Sequence, residues 1–247
     1  MEELIRARFP KHNLLRMDSD TMRGRDAHEK ALSAFRRGDI DILLGTQMIA
    51  KGLDFPNVTL VGVLSADTIV NLPDFRASEK TFQLLCQVAG RTGRGAKGGK
   101  VIVQTFNPDH YSITHAAKHD YDGFAKKELE YRKQLYYPPY GRLARVVLRG
   151  KKDQDVKEKA SEIAERLMKA IELSGGSLLA GLRKDKVGVL GPAPAPIVKV
   201  KDNYRWHLIV KADSFKNLHT ILTSIENENR NSKRVQMMID VDPYMLL

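Results

Sequence analysis

Cysteine is almost missing from this sequence: Cys86 is the only one in 247 residues. A lone thiol excludes an internal disulfide and any zinc site built from several cysteines. Its neighbours Leu84, Leu85 and Val88 predict a buried, inert side chain. Long hydrophobic runs are missing too. The richest, VTLVGVL at 58–64, is strand-sized, well short of the roughly 20 apolar residues of a spanning helix. The opening MEELIRARFP carries neither the apolar core nor the cleavage pattern of a signal peptide. A cytoplasmic protein with no membrane partner is the expectation. Two phosphate-handling patterns are also lacking. No G-x-x-x-x-G-K-[ST] loop is present, nor an acidic motif to hold magnesium. RGAKGGKV at 94–101 comes nearest, but it lacks the first glycine and ends in valine, which suits a turn entering a strand. His115 and His119 are spaced i, i+4 without a third ligand or an H-E-x-x-H pattern, so no metal site is expected there.

Acidic residues are the next shortage. The chain has 41 Lys and Arg against 30 Asp and Glu, a net charge of +11. Such a balance favours a polyanionic partner, nucleic acid before membrane, although a solvated basic surface has the same composition. The excess is uneven. Residues 1–107 hold 16 basic against 12 acidic side chains, residues 108–140 hold 5 against 5, and residues 141–247 hold 20 against 13.

What is present begins with alternating patterns. Residues 1–8 read as the end of a helix and 13–18 as a strand. In 25–39 the residues Ala27, Ala31, Leu32, Ala34 and Phe35 fall at helical spacing, and Gly38 ends the run. Residues 41–46 and 58–64 are continuous apolar runs, as in strands buried on both faces of a parallel sheet. A helix over 78–90 and a strand over 100–106 follow. This alternation predicts an α/β layer, and its abrupt start predicts a strand upstream of Met1, with an exposed sheet edge in its absence. Residues 109–135 are polar and helical until Pro138 and Pro139 stop them. A second alternation then reads strand 142–149, helix 153–173, strand 187–190, the extended GPAPAPIVKV, strand 205–211, helix 214–227 and strand 234–241. A β-α-β-β-α-β order predicts a small α+β sandwich, two helices on one face of an antiparallel sheet. The expected organisation is therefore an α/β lobe, incomplete at its start, over 1–107, a helical connector over 108–140, and a basic α+β domain over 141–247.

Three stretches could carry chemistry. In QVAGRTGRG (87–95), Arg91 and Arg94 sit among Gly90, Gly93 and Gly95. Guanidinium groups beside a nucleoside triphosphate neutralise charge that develops on the transferred phosphoryl group, and glycines let the backbone approach a ligand. Gln87 lies one helical turn before Arg91 and can supply an oriented amide. In GTQMIAKGLDFPNV (45–58), Thr46 and Gln47 follow a strand, at the edge where α/β sheets bind ligands. They suit a nucleic-acid backbone; Asp54 could accept from a ribose hydroxyl and Lys51 could pair with phosphate. In the basic domain, Lys199, Lys201 and Arg205 flank Tyr204 and Trp206. This aromatic pair could stack bases while the cations follow phosphate; equally, Trp206 could anchor the core beside Leu208 and Val210. The loop LRKDKVG at 182–188 could contact phosphate or simply be solvated.

GTQMIAKGLDFPNV and QVAGRTGRG resemble motifs V and VI in the second RecA-like lobe of superfamily 2 helicases. VNLPDFRASEKTFQLLCQVAGRTGRG, QTFNPDH, HDYDGFAKKELEYRKQLYYPPY, GPAPAPI, YRWHLIVKA and the terminal DVDP together resemble the C-terminal portion of the primosomal replication-restart DNA helicases, the PriA family. The likeness covers nearly the whole chain. It implies a second RecA-like lobe followed by a small domain resembling a ribosomal protein. It implies a bacterial ATP-dependent 3′→5′ helicase, associated with the nucleoid, that recognises single-stranded and forked DNA and assembles a primosome at stalled forks. Primosomal proteins and single-strand-binding protein are the implied partners. ATP and magnesium would occupy a site shared with another lobe, and zinc would be bound upstream of Met1. By the same likeness Thr46, Gln47, Gly52 and Asp54 are motif V, touching DNA and nucleotide, while Gln87, Arg91 and Arg94 are motif VI, reaching the triphosphate, with Gly90 and Gly93 alongside. Where the family often has Asp-Ala-Asp, this chain has Ser65-Ala66-Asp67, which leaves the role of that position open. Alone, without a phosphate loop, the chain is expected to show no appreciable ATPase activity. The alternative is a non-catalytic module for DNA binding or partner docking.

Overall fold

The computed structural model describes residues 1–18, 25–46, 57–90, 99–173, 187–226 and 234–246. Two compact units divide the chain: Met1–Val70 with Glu79–Tyr121, and Asn71–Ser78 with Asp122–Leu247.

The first unit is α/β. It runs α1 (Glu2–Arg8), β1 (Leu14–Met17), α2 (Arg25–Arg37), β2 (Ile42–Gly45), β3 (Leu60–Val63), α3 (Asp67–Val70), most of α4 (Ala77–Ala89), β4 (Lys100–Val103) and α5 (Tyr111–Ala117). Its strands are parallel, as their alternation with helices requires: β1 pairs with β2 from Leu14↔Ile42 to Met17↔Gly45, and β3 with β4 from Leu60↔Lys100 to Val63↔Val103. The expectation of burial on both faces is corrected for the second pair. Leu60 is 57% and Ile102 51% exposed, and both strands alternate exposed and half-buried residues. An apolar run states that neither face is polar; what covers each face depends on other elements.

The second unit holds α6 (Tyr121–Gln134, from Asp122 on), β5 (Arg142–Gly150), α7 (Asp153–Leu173), β6 (Val187–Val200), β7 (Asn203–Ala212), α8 (Phe215–Glu226) and β8 (Val235–Val241). Its sheet has the order β6-β7-β5-β8, antiparallel at every pairing. The two helical crossovers therefore each skip one strand, the split β-α-β arrangement foreseen from the element order. On α7, Val156, Ala160, Ile163, Ala164, Leu167 and Ile171 are buried, and on α8 Leu218, Ile221, Leu222 and Ile225. These stripes meet Ala144, Val146 and Leu148 of β5 and Leu208, Val210 and Ala212 of β7 in one core. Asp153 and Asp155 in the first turn of α7 oppose its dipole favourably.

GPAPAPI belongs to β6, so the strand is far longer than the expected 187–190, with register shifts between Leu190 and Ala193 and between Pro194 and Lys199. Prolines are tolerated there because β6 is an edge strand and its irregular stretches need no ladder donor. Gly191 makes the first shift possible: its φ is +98°, and a Cβ would lie 2.8 Å from the His207 carbonyl oxygen.

The sheet's second face is covered as well. Along β5, Leu143, Arg145 and Val147 are buried alongside the core-facing Ala144, Val146 and Leu148. Lys211 on β7 shows what lies there: its ammonium donates to the Leu135 carbonyl (3.2 Å) and sits 3.6 Å from the Tyr137 ring centroid. The end of α6 and the following Tyr-Pro-Pro-Tyr turn thus lie against this face. Arg132 organises that turn, pairing with buried Glu128 at 2.7 Å and donating to the Pro138 carbonyl at 3.4 Å.

Candidate functional site

β2 ends at Gly45 with Thr46 exposed just beyond it. Thr46 therefore stands at the carboxyl end of a parallel strand, where α/β sheets receive ligands. Asp18 lies just past the same end of β1, buried and held by Arg16, whose pKa is raised chiefly by the hydrogen bond to Asp18. Gln47, Lys51, Gly52 and Asp54 lie outside the described residues.

The α4 helix positions the second stretch. Thr81, Phe82, Leu85 and Val88 are buried along it, which leaves Gln87 half-buried in its last turn. Cys86 is half-buried, not fully enclosed as the sequence suggested, and burial raises its thiol pKa. The thiol stays protonated, in keeping with an inert group. Gly90 follows the helix with its N–H on the Cys86 carbonyl (3.0 Å). A Cβ there would make only ordinary contacts, 3.5 Å to the Cys86 oxygen and 3.7 Å to that of Gln87, so packing among the described residues does not demand a glycine. Arg91, Gly93 and Arg94 lie outside the described residues.

Between β3 and β4 the structure gives Asp67 a definite task. Its carboxylate accepts from the Thr105 hydroxyl (3.0 Å) and from the Phe106 N–H (3.1 and 3.2 Å). Burial works against its charge, and these bonds outweigh that, holding the carboxyl below its ordinary range. Asp67 thus ties together the carboxyl ends of β3 and β4, which accounts for an acid at 67; the departure from the family string is at Ser65. Ser65, with φ +56°, turns the chain out of β3, and its hydroxyl meets that of Thr68 at 3.0 Å.

In the second unit the basic residues around Tyr204 and Trp206 divide between two faces. Tyr204 and Trp206 pack against the helix-covered core. The Trp206 indole N–H donates to Asp153 at 2.9 Å, and Lys157 lies 6.0 Å from the ring centroid. That environment matches the core-anchor alternative for Trp206. Lys199 pairs with Tyr204 across the hairpin, with its ammonium 5.2 Å from that ring and 3.2 Å from Asp202. Lys201 and Asp202 form the hairpin tip, both at positive φ (46° and 60°), the geometry of a two-residue primed turn. Arg205 points to the other face, directly opposite Arg149. Arg149 was missed in sequence reading, where nothing marks it as facing Arg205. It also donates to Gln236 at 2.9 Å. Beside Arg205 on the same strand face is His207, whose pKa is lowered by burial, then by Arg145 and Arg205. Its buried Nδ1 has no hydrogen-bond partner. Arg145 is 4% exposed; burial and Arg205 lower its pKa, while Asp240 and Asp74 act in the other direction. Like charges directly opposite each other destabilise a sheet, so Arg149 and Arg205 mark a place suited to an anion. The 182–186 part of the basic loop lies outside the described residues.

His115 is engaged with Asp120 (2.8 Å), whereas His119 is exposed beyond the end of α5 with φ +52°. The i, i+4 pair therefore does not converge. Among the described residues, no group of three or more His, Cys, Asp or Glu side chains could hold a metal ion. Among them, too, no helix is long and apolar enough to cross a membrane.

Comparison with known proteins matches both units to families. Residues 1–96 match the helicase conserved C-terminal domain, and residues 133–244 match the primosomal protein N C-terminal domain. The chain is 45% identical over 250 residues to the replication restart protein PriA of Bacillus subtilis, covering 100% of this chain and 30% of that protein. It is 42% identical to PriA of Synechocystis, over 99% of this chain and 28% of that protein, and 39% identical to PriA of Treponema pallidum, over 100% and 36%. The chain therefore spans about a third of the length of these relatives. With a helicase C-terminal domain followed by the PriA C-terminal domain, it belongs to the PriA family of replication restart proteins, as their C-terminal region.

Proposed function

We propose that this chain is the second motor lobe and terminal DNA-binding domain of an ATP-dependent 3′→5′ DNA helicase that recognises branched DNA and restarts stalled forks by assembling a primosome. One observation carries the reading: 45% identity to a replication restart protein along the whole chain, with both family domains in order. The first unit is then a RecA-like lobe and the second a ribosomal-protein-like sandwich. Gln87, Arg91 and Arg94, with Gly52, Asp54, Gly90 and Gly93, form one side of an ATP–magnesium site, and a separate lobe supplies the phosphate loop. Closure of the lobes brings the arginines to the γ-phosphate, where they offset developing charge. Thr46, Gln47 and Lys51 hold the DNA backbone, and closure shifts that contact. Arg205 with Arg149, and Lys199 with Lys201, hold duplex or branch phosphates on two faces of the second unit. Zinc belongs to a part upstream of residue 1, and primosomal proteins and single-strand-binding protein are the partners.

In the intact protein, Arg94→Ala is expected to lower ATP turnover by about three orders of magnitude, the scale of an arginine finger, with ATP still bound. Turnover within twofold of the wild type would sink the assignment of motif VI. A second reading, a non-catalytic DNA-binding module, is favoured by the Arg149–Arg205 opposition, which needs no nucleotide to attract phosphate. DNA binding by the chain that is unaffected by nucleotide in the intact protein would support it instead.

A further inference from the structure

The chain leaves the first unit at Asn71 and returns to it at Glu79. Between these points, Asn71–Ser78 is gathered into the second unit, although α4 follows directly. Three ring contacts hold it there. Phe75 stacks on Tyr137 with ring centroids 5.4 Å apart and planes 14° from parallel. The Arg132 guanidinium lies 5.4 Å from the Phe75 centroid, and Arg76 lies 4.2 Å from that of Tyr244. Each partner comes from a distant part of the sequence: the end of α6, the turn that follows it, or the C-terminal segment. Asp74 is buried at 8% exposure and starts α4: its carboxylate accepts from the Arg76 N–H (2.9 Å) and its carbonyl from the Ala77 N–H (2.9 Å). From Ala77 the helix runs without interruption to Ala89, about 20 Å at 1.5 Å per residue.

α4 therefore starts among residues of the second unit and carries Gln87 at its far end among residues of the first. A hydrogen-bonded helix of this length transmits a displacement of its start to its end, since stretching it breaks its own ladder. We propose that Phe75, gripped by Tyr137 and Arg132, is a positioning residue for Gln87: the 72–76 segment ties α4 to the C-terminal unit, so that nucleic acid bound by that unit adjusts the nucleotide site. The inference rests on the ATP-site reading of Gln87 given above. Such a link matters because a shift on the order of 1 Å in a catalytic group can change a rate a hundredfold.

The test uses the intact protein. Phe75→Leu removes the stack and the cation–π contact while keeping an apolar side chain; Phe75→Tyr keeps both contacts. The expected result is a roughly tenfold loss of forked-DNA stimulation of kcat in Phe75→Leu, with KM for ATP and the Kd for DNA unchanged, and recovery in Phe75→Tyr. Full stimulation in a Phe75→Leu protein overturns the proposal. Hydrogen exchange on the wild-type protein gives an answer that depends on no variant's folding. Binding forked DNA should alter exchange in 79–89 together with 71–78; DNA binding that leaves 79–89 unchanged overturns the tie. If the wild type shows no ATP turnover, the nucleotide reading fails, and exchange still decides the tie.

Discussion

Arg149 and Arg205 set a proposed binding role against a cost to folding at the scale of single side chains. They stand directly opposite on β5 and β7, and like charges so placed destabilise a sheet. Arg149→Ala should therefore raise the melting temperature slightly while weakening binding to forked DNA. Its log-log salt slope should become shallower by about one, as expected for one lost phosphate contact. Equal slopes for variant and wild type would remove Arg149 from the interface. Lys211 poses a different residue-scale question. Burial brings its pKa down from 10.5 to about 8. Between those values the folded chain binds fewer protons than the unfolded chain, so stability rises with pH. Tyr137 opposes this above its ordinary pKa of 10, because burial first and Asp74 second raise it; the folded state then holds the extra proton. Thermal melts from about pH 7.5 to 9.5 should accordingly show the wild type gaining stability relative to Lys211→Met. Parallel curves would mean that Lys211 titrates as it does when unfolded.

At the scale of elements, α7 and α8 were legible as helices over 153–173 and 214–227; the structure shows their buried stripes, Val156 to Ile171 and Leu218 to Ile225. Leu167, fully buried in that stripe, should lose about 2–5 kcal/mol on mutation to Ala through the cavity it leaves, read as a lower urea midpoint with an unchanged m-value. The strand β6 was less legible. Its prolines argue against a ladder, and only its edge position, with Gly191 permitting a shift of register, lets the strand continue to Val200. The candidate site was legible unevenly for a related reason. Thr46 and Gln87 lie where strand-end and helix-end reasoning put them. Lys199 and Arg205 face opposite sides, because alternate residues of a strand do so and the hairpin register sets Lys199 beside Tyr204. Asp67 needed its partner: nothing near it in sequence reveals Thr105 and Phe106.

For the molecule as a whole, the charge of +11 and its concentration in residues 141–247 predict how the isolated chain behaves with DNA. Anisotropy titration of this chain with single-stranded and forked DNA should give micromolar or weaker Kd values that weaken steeply with salt, as release of counterions requires. Affinity independent of salt would contradict a phosphate interface.

By itself the sequence determined the order and kind of most elements, the basic balance and the family. These follow from residue type, from spacing between near neighbours, or from strings distinctive enough to match. Tertiary structure alone decided that Asn71–Ser78 joins the second unit, that Phe75 meets Tyr137, that Arg149 faces Arg205 and that Lys211 meets Leu135 and Tyr137. Each of these pairs residues more than fifty positions apart, and local periodicity fixes which face of an element is apolar without fixing which distant face it meets.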